Sequence, residues 1–166
     1  MSQPVPPPYP SDPSQPAQPP QGFGYPMAPP PAPVRKNLAG GVVVALVAAI
    51  AVGAAYGGIL GATSHEIGYA AIAVGFIVGF AAGKVGGDHV ALAGISAVLS
   101  LASIYFGQLL GEAIIAAKHL PVSVSELFFQ HFGLLNEAWR ADSDFMSYVF
   151  IVIAVCASFA GMKRAV

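Results

Sequence analysis

The chain has 166 residues, only 9% of them charged, and a formal net charge of −1. Soluble domains carry roughly 25% charge, so an ordinary water-exposed surface is excluded, and no basic excess speaks for a nucleic-acid partner. One cysteine, Cys156, permits neither an internal disulfide nor a multi-cysteine zinc site.

Residues 1–34 form a compositional unit of their own. Fourteen of the fifteen prolines fall in residues 1–33. Proline has no backbone donor and a fixed φ, so neither helix nor sheet is expected there, and the scarcity of apolar residues predicts a disordered tail with polyproline II character. It lacks the basic start and apolar stretch of a signal peptide. Pro4, Pro7, Pro10, Pro13, Pro16 and Pro19 keep a Pro-x-x-Pro spacing that suits an aromatic-lined groove on a protein partner. The plain alternative is a solvated tether.

Residues 35–166 read as a four-helix transmembrane bundle, with spans at about 37–62, 67–85, 90–115 and 145–162. The first is long enough to cross a hydrocarbon core of ~30 Å with some tilt, and the second and fourth are short. Arg35, Lys36, Lys84, Lys163 and Arg164 fall on one side of a chain that crosses four times, against Lys118 and Arg140 on the other. The positive-inside rule then puts both termini in the cytoplasm of a plasma-membrane protein.

Small residues recur every fourth position along the first two spans: Gly41, Ala45, Ala49, Gly53, Gly57 and Gly61, then Ala71, Gly75, Gly79, Gly83 and Gly87. Positions four apart share a helix face, so each span carries a groove free of side chains, the means by which membrane helices approach closely. The two grooves are expected to mate as a glycine-faced hairpin. Gly107 and Gly111 extend the spacing into the third span, which is expected to lay its serines against that hairpin. Ser96, Ser100, Gln108 and Glu112 of this span are also the candidates for a polar path. The competing reading has the hydroxyls bonding back to their own helix. Asp88 is expected to cap the third span.

Ser123-Val124-Ser125-Glu126 is a capping box, and it starts a predicted amphipathic helix over about 123–140. At 100° per residue Val124, Leu127, Phe128, Phe132, Leu134, Leu135, Ala138 and Trp139 share one face, with Phe129 misplaced on the polar side. This helix is expected in the outer interface with Trp139 as its aromatic anchor. His131 falls within the apolar face. With His65 and His119, and with Glu66 and Glu112, it makes an outer set of imidazoles and carboxylates that suits a divalent metal or a proton sensor. The spacing is no metal motif, so no metal or cofactor is expected. Asp142, Ser143 and Asp144 are placed to cap the fourth span.

The Pro-rich residues 1–33, the turn at 74–87 and the insert at 120–144 together resemble small bacterial, actinobacteria-like membrane proteins with about four spans and a low-complexity or zinc-ribbon tail. No zinc ribbon is present here. That group has no assigned activity, so the resemblance implies the topology alone. No nucleophile–base pair stands at recognisable spacing, and an enzyme is not expected. The expectation is a non-enzymatic membrane protein that acts through protein partners or as a homo-oligomer in the cell envelope. The alternative is a small transporter or channel subunit with its polar path along the third span.

Overall fold

A computed structural model describes residues 37–65 and 68–166. The Pro-rich segment, Arg35, Lys36 and Glu66 lie outside them. Among the described residues all regular structure is helical, in the order α1 (Leu38–Thr63), α2 (Gly68–Gly86), α3 (Val90–His119), α4 (Val124–Gln130), α5 (Phe132–Asp142) and α6 (Phe145–Ala165). Four of these, α1, α2, α3 and α6, are long and apolar enough to cross a bilayer, and the chain is a multi-pass integral membrane protein. At 1.5 Å per residue the 19 residues of α2 reach about 28 Å, a full hydrocarbon core. The 30 residues of α3 reach about 45 Å, longer than predicted, so its C-terminal turns stand beyond the core.

Side-chain chemistry sets the helix ends. Asn37 caps α1 by accepting from the Gly40 N–H at 3.0 Å, and Ser123 caps α4 by accepting from the Glu126 N–H at 3.1 Å. Asp144 caps α6, accepting from the Ser147 N–H at 2.8 Å and from the Ser147 hydroxyl at 2.9 Å. These donors have no partner inside their own helix. Asp88 does not cap α3. The cap position belongs to His89, which makes no side-chain cap bond, because the turn from α2 closes through Gly87 at φ 74°. That left-handed value is open to glycine at no steric cost. The Asn37 N–H donates to the Val85 carbonyl at 3.3 Å and ties the start of α1 to the end of α2.

The two glycine rows do not mate with each other. A Cβ on Gly53 would stand 2.7 Å from Ser103 Oγ, one on Gly61 2.6 Å from Ile114 Cβ, and one on Gly57 would overlap the Gly107 carbonyl oxygen. The α1 row therefore faces α3. On α2, a Cβ on Gly75 or Gly79 would overlap the carbonyl oxygens of Ala154 and Ser158, and one on Gly83 would stand 2.7 Å from that of Met162. The α2 row faces α6. Partner numbers rise in step with glycine numbers in both cases, so α1 with α3 and α2 with α6 are parallel pairs. α1 and α2 still share the core through Ala45, Ala49, Val78 and Ala82 and through Tyr56, Leu60, Ala71 and Val74, and at one end a glycine of each meets the other, where a Cβ on Gly41 would stand 2.7 Å from Gly86 Cα. The physical reason is register. A row of small residues needs a neighbour with short side chains at the same four-residue step. Ser103 and Gly107 supply one to α1, and Ala154 and Ser158 one to α2.

The amphipathic segment forms two helices broken at His131, which adopts φ −120°, ψ 32°. Leu127 and Leu135 are both buried and pack with Leu109 and Ala113 of α3. On one straight helix these two leucines would be about 80° apart. The break turns both toward α3. As a result His131 is exposed at the junction rather than held within an apolar face.

Candidate functional site

The hydroxyls of α3 are spent inside the bundle. Ser96 and Ser100 are fully buried. Ser96 Oγ donates to the Ala93 carbonyl at 2.9 Å and Ser100 Oγ to the Ser96 carbonyl at 2.7 Å, one turn back in each case. Ser158 of α6 donates to Ser96 Oγ at 3.3 Å, and Ser103 donates across to the Ala49 carbonyl of α1 at 2.7 Å. In hydrocarbon an unmet hydroxyl is costly, and these bonds meet the need while drawing α1 and α6 onto α3.

Gln108 and Glu112 belong to a separate place near the other end of α3. With Leu60, Trp139, Asp142 and Ser143 they line a cleft of about 10 Å³, at the lower limit for a single water. Gln108 Oε1 accepts from the Trp139 indole N–H at 2.8 Å, Tyr105 donates its hydroxyl to Asn136 Oδ1 at 3.1 Å, and the Tyr105 and Trp139 rings meet edge to face at 5.2 Å. Ser143 donates to the Trp139 carbonyl at 2.7 Å. The indole N–H that was expected at the lipid interface is therefore turned inward, and Trp139 fastens α5 to α3. Ser96 and Ser100 line neither this cleft nor the groove described below; Ser96 stands about 18 Å from Gln108 along the axis of α3, so the cleft holds only two of the four path candidates.

The histidines do not converge. His65 follows α1 with its Nδ1 2.8 Å from the Thr63 carbonyl, His119 ends α3 and His131 joins α4 to α5; all three are exposed. Among the described residues no group of three or more His, Cys, Asp or Glu side chains could hold a metal ion. Lys118 reaches across to donate to the Gly61 carbonyl at 2.6 Å, where a cation complements the carbonyl end of α1. Residue spacing alone gave no sign of that contact, which spans 57 positions.

A second concavity among the described residues is apolar. A groove of about 870 Å³ runs between α1 and α3 and has α4 as its third wall; Leu46, Ile50, Ala54, Phe106, Phe128 and Phe129 are among its lining residues. It arises because the α1–α3 contact is made by Gly53, Ser103 and Gly107. The residues flanking that contact, Ala54 and Ala102, are too small to fill the space beside it, while Ile50 and Phe106 rise around them. Nothing in this groove has the paired acid, base or nucleophile of a reaction site.

No family model, curated protein or solved structure matches the chain.

Proposed function

We propose that the chain is a non-enzymatic membrane anchor that presents its Pro-rich residues 1–34 to a protein partner on the cytoplasmic side of the plasma membrane. The observation that carries this reading is the internal use of the bundle's special residues. Gly53, Gly57 and Gly61 are taken up by α3, Gly75, Gly79 and Gly83 by α6, and the serines of α3 by carbonyls and a hydroxyl within the bundle. What faces outward is plain hydrocarbon, such as Val43, Val47, Ile50 and Val152, each at least 60% exposed. That supports an anchor over an oligomer joined through its glycines, since the rows are already occupied. It also supports an anchor over a channel subunit, since Ser96 and Ser100 are bonded to their own helix. The orientation rests on charge. Lys84, Lys163 and Arg164 lie at one end of the bundle with Asp88, while Glu126, Glu137, Asp142 and Asp144 lie at the other with Lys118 and Arg140; cytoplasmic ends carry the basic excess.

The test is co-purification from native membranes with the full chain and with a chain lacking residues 2–33. The expected result is a protein recovered with the first and absent from the second, with the bundle itself monomeric in both. Recovery of the same protein with both chains would move the interaction surface to the bundle, and a homo-oligomer in both would restore self-assembly as the function.

A further inference from the structure

We propose that the groove between α1 and α3 is a binding site for one acyl chain of a bilayer phospholipid, held on its third side by α4. Depth comes first. Leu46 to Ala54 lie eight to sixteen positions into α1, about 12–24 Å along its axis. The groove is therefore at the level of the hydrocarbon, within a core of ~30 Å. Its chemistry agrees. The walls are Leu, Ile, Val, Ala, Gly and Phe with two serines, Ser103 and Ser125; the Ser103 hydroxyl is bonded to the Ala49 carbonyl and that of Ser125 pairs with the Ser123 hydroxyl at 3.1 Å. An apolar cavity of about 150 Å³ holds a benzene ring, and 870 Å³ is several times that, enough for a long chain.

Continuity with the lipid-contact surface identifies the occupant. Leu46, Ile50 and Phe106 line the groove and are 46%, 65% and 49% exposed, so it opens directly onto the face that the spans turn to the bilayer. A chain lying on a flat helix face touches one surface. A chain here touches α1, α3 and the Phe128–Phe129 wall of α4 together, and gains dispersion contact on three sides. α4 packs with Leu109 and Ala113, so it walls only the half of the groove toward the C-terminus of α3. The cross-section changes along the length. A hydrocarbon chain bends at each methylene and follows such a change, whereas a rigid helix 10–12 Å across does not. The inference stands apart from the Pro-rich arm, and a chain lacking residues 2–33 is expected to keep the lipid.

The experiment measures phospholipid per chain. Full-length protein is extracted from native membranes in mild detergent, exchanged extensively, and read by organic phosphate and native mass. The wild type is expected to retain a phospholipid on the monomer. Ala54→Phe/Ala102→Phe, which fills the groove from both walls, is expected to lose it while helix content is unchanged. Val47→Phe, on the exposed face of α1 outside the groove, is expected to retain it. Should the double variant not fold, Ala54→Leu, which adds bulk only on the open side of α1, is read in its place. A wild type without lipid, or equal retention in wild type and filled variants, overturns the proposal. So does a lipid-free dimer that becomes monomeric in the filled variant, because the occupant is then a second copy of this chain.

Discussion

At the scale of single residues, the glycines divide into two populations that the sequence writes identically. Gly79 and Gly94 are both helical, but a Cβ on Gly79 would overlap the Ser158 carbonyl oxygen, while nothing lies within 4 Å of one on Gly94. A backbone atom cannot move aside as a side-chain tip can. Gly79→Ala is therefore expected to cost about 1–3 kcal/mol or more by forcing α2 from α6. Gly94→Ala is expected to gain up to about 1 kcal/mol from helix propensity. Thermal unfolding in detergent followed by helix content checks both, and equal effects at the two sites would refute the packing assignment. Asp144 supplies a second residue-scale prediction. The Ser147 N–H, and after it the Ser147 hydroxyl, hold its carboxyl below the ordinary value of 3.8. A group whose folded pKa is depressed contributes stability that is present above the unfolded value and lost as pH falls through the folded one. Asp144→Ala is thus expected to lower the unfolding temperature at neutral pH, with the gap to wild type closing below pH 3.8. A gap that does not change with pH would mean that the charged form of the cap contributes nothing.

At the scale of elements, the amphipathic segment departs furthest from its periodicity. The apolar positions of residues 124–139 fit one helix face, and the capping box located the start at Ser123. The break at His131 was not legible, because it serves the groove of α3 rather than any local preference; Gly133 beside it only makes the break cheap. The two halves are held by different forces. α4 rests on apolar contact through Leu127, and α5 adds the Trp139–Gln108 and Tyr105–Asn136 bonds. Trp139→Phe keeps an aromatic ring, though a smaller one, and removes the donor to a buried amide oxygen, a loss of about 1–3 kcal/mol for the bond. Hydrogen exchange is expected to accelerate in α5 while α1, α2 and α6 keep their protection. Unchanged exchange in α5 would show that apolar contact alone holds it.

At the scale of the whole molecule, the four spans form two parallel pairs, α1 with α3 and α2 with α6, and the pairs meet through α1 on α2 and through α3 on both α2 and α6. The Ser103 hydroxyl, bonded to the Ala49 carbonyl, ties α3 to α1 within one pair, and the Ser158 hydroxyl, bonded to Ser96 Oγ, ties the two pairs together. Under the proposed reading, a bundle that consumes its small residues in this way is expected to keep its oligomeric state when the arm is deleted, while any protein held by the arm is lost. The repeated Val-Gly-x3-Gly-x3-Gly of residues 52–61 and 74–83 has the same meaning in both places, close approach to a parallel neighbour. Shared packing demand accounts for it without a duplicated half.

The sequence by itself determined the class, the four spans, the cap at Ser123, the Asp142–Asp144 stretch that caps the fourth span and the existence of the glycine rows, because these follow from apolar length, local hydrogen-bond chemistry and a four-residue period along one helix. Only the tertiary structure decided which helix each row meets, where the amphipathic segment breaks, that the Trp139 N–H turns inward to Gln108, and that a groove lies between α1 and α3. A period shows which residues share a face and says nothing of what stands opposite. That choice depends on matching a row to a neighbour of equal step, and the matching residues, such as Gly53 and Ser103, lie fifty positions apart.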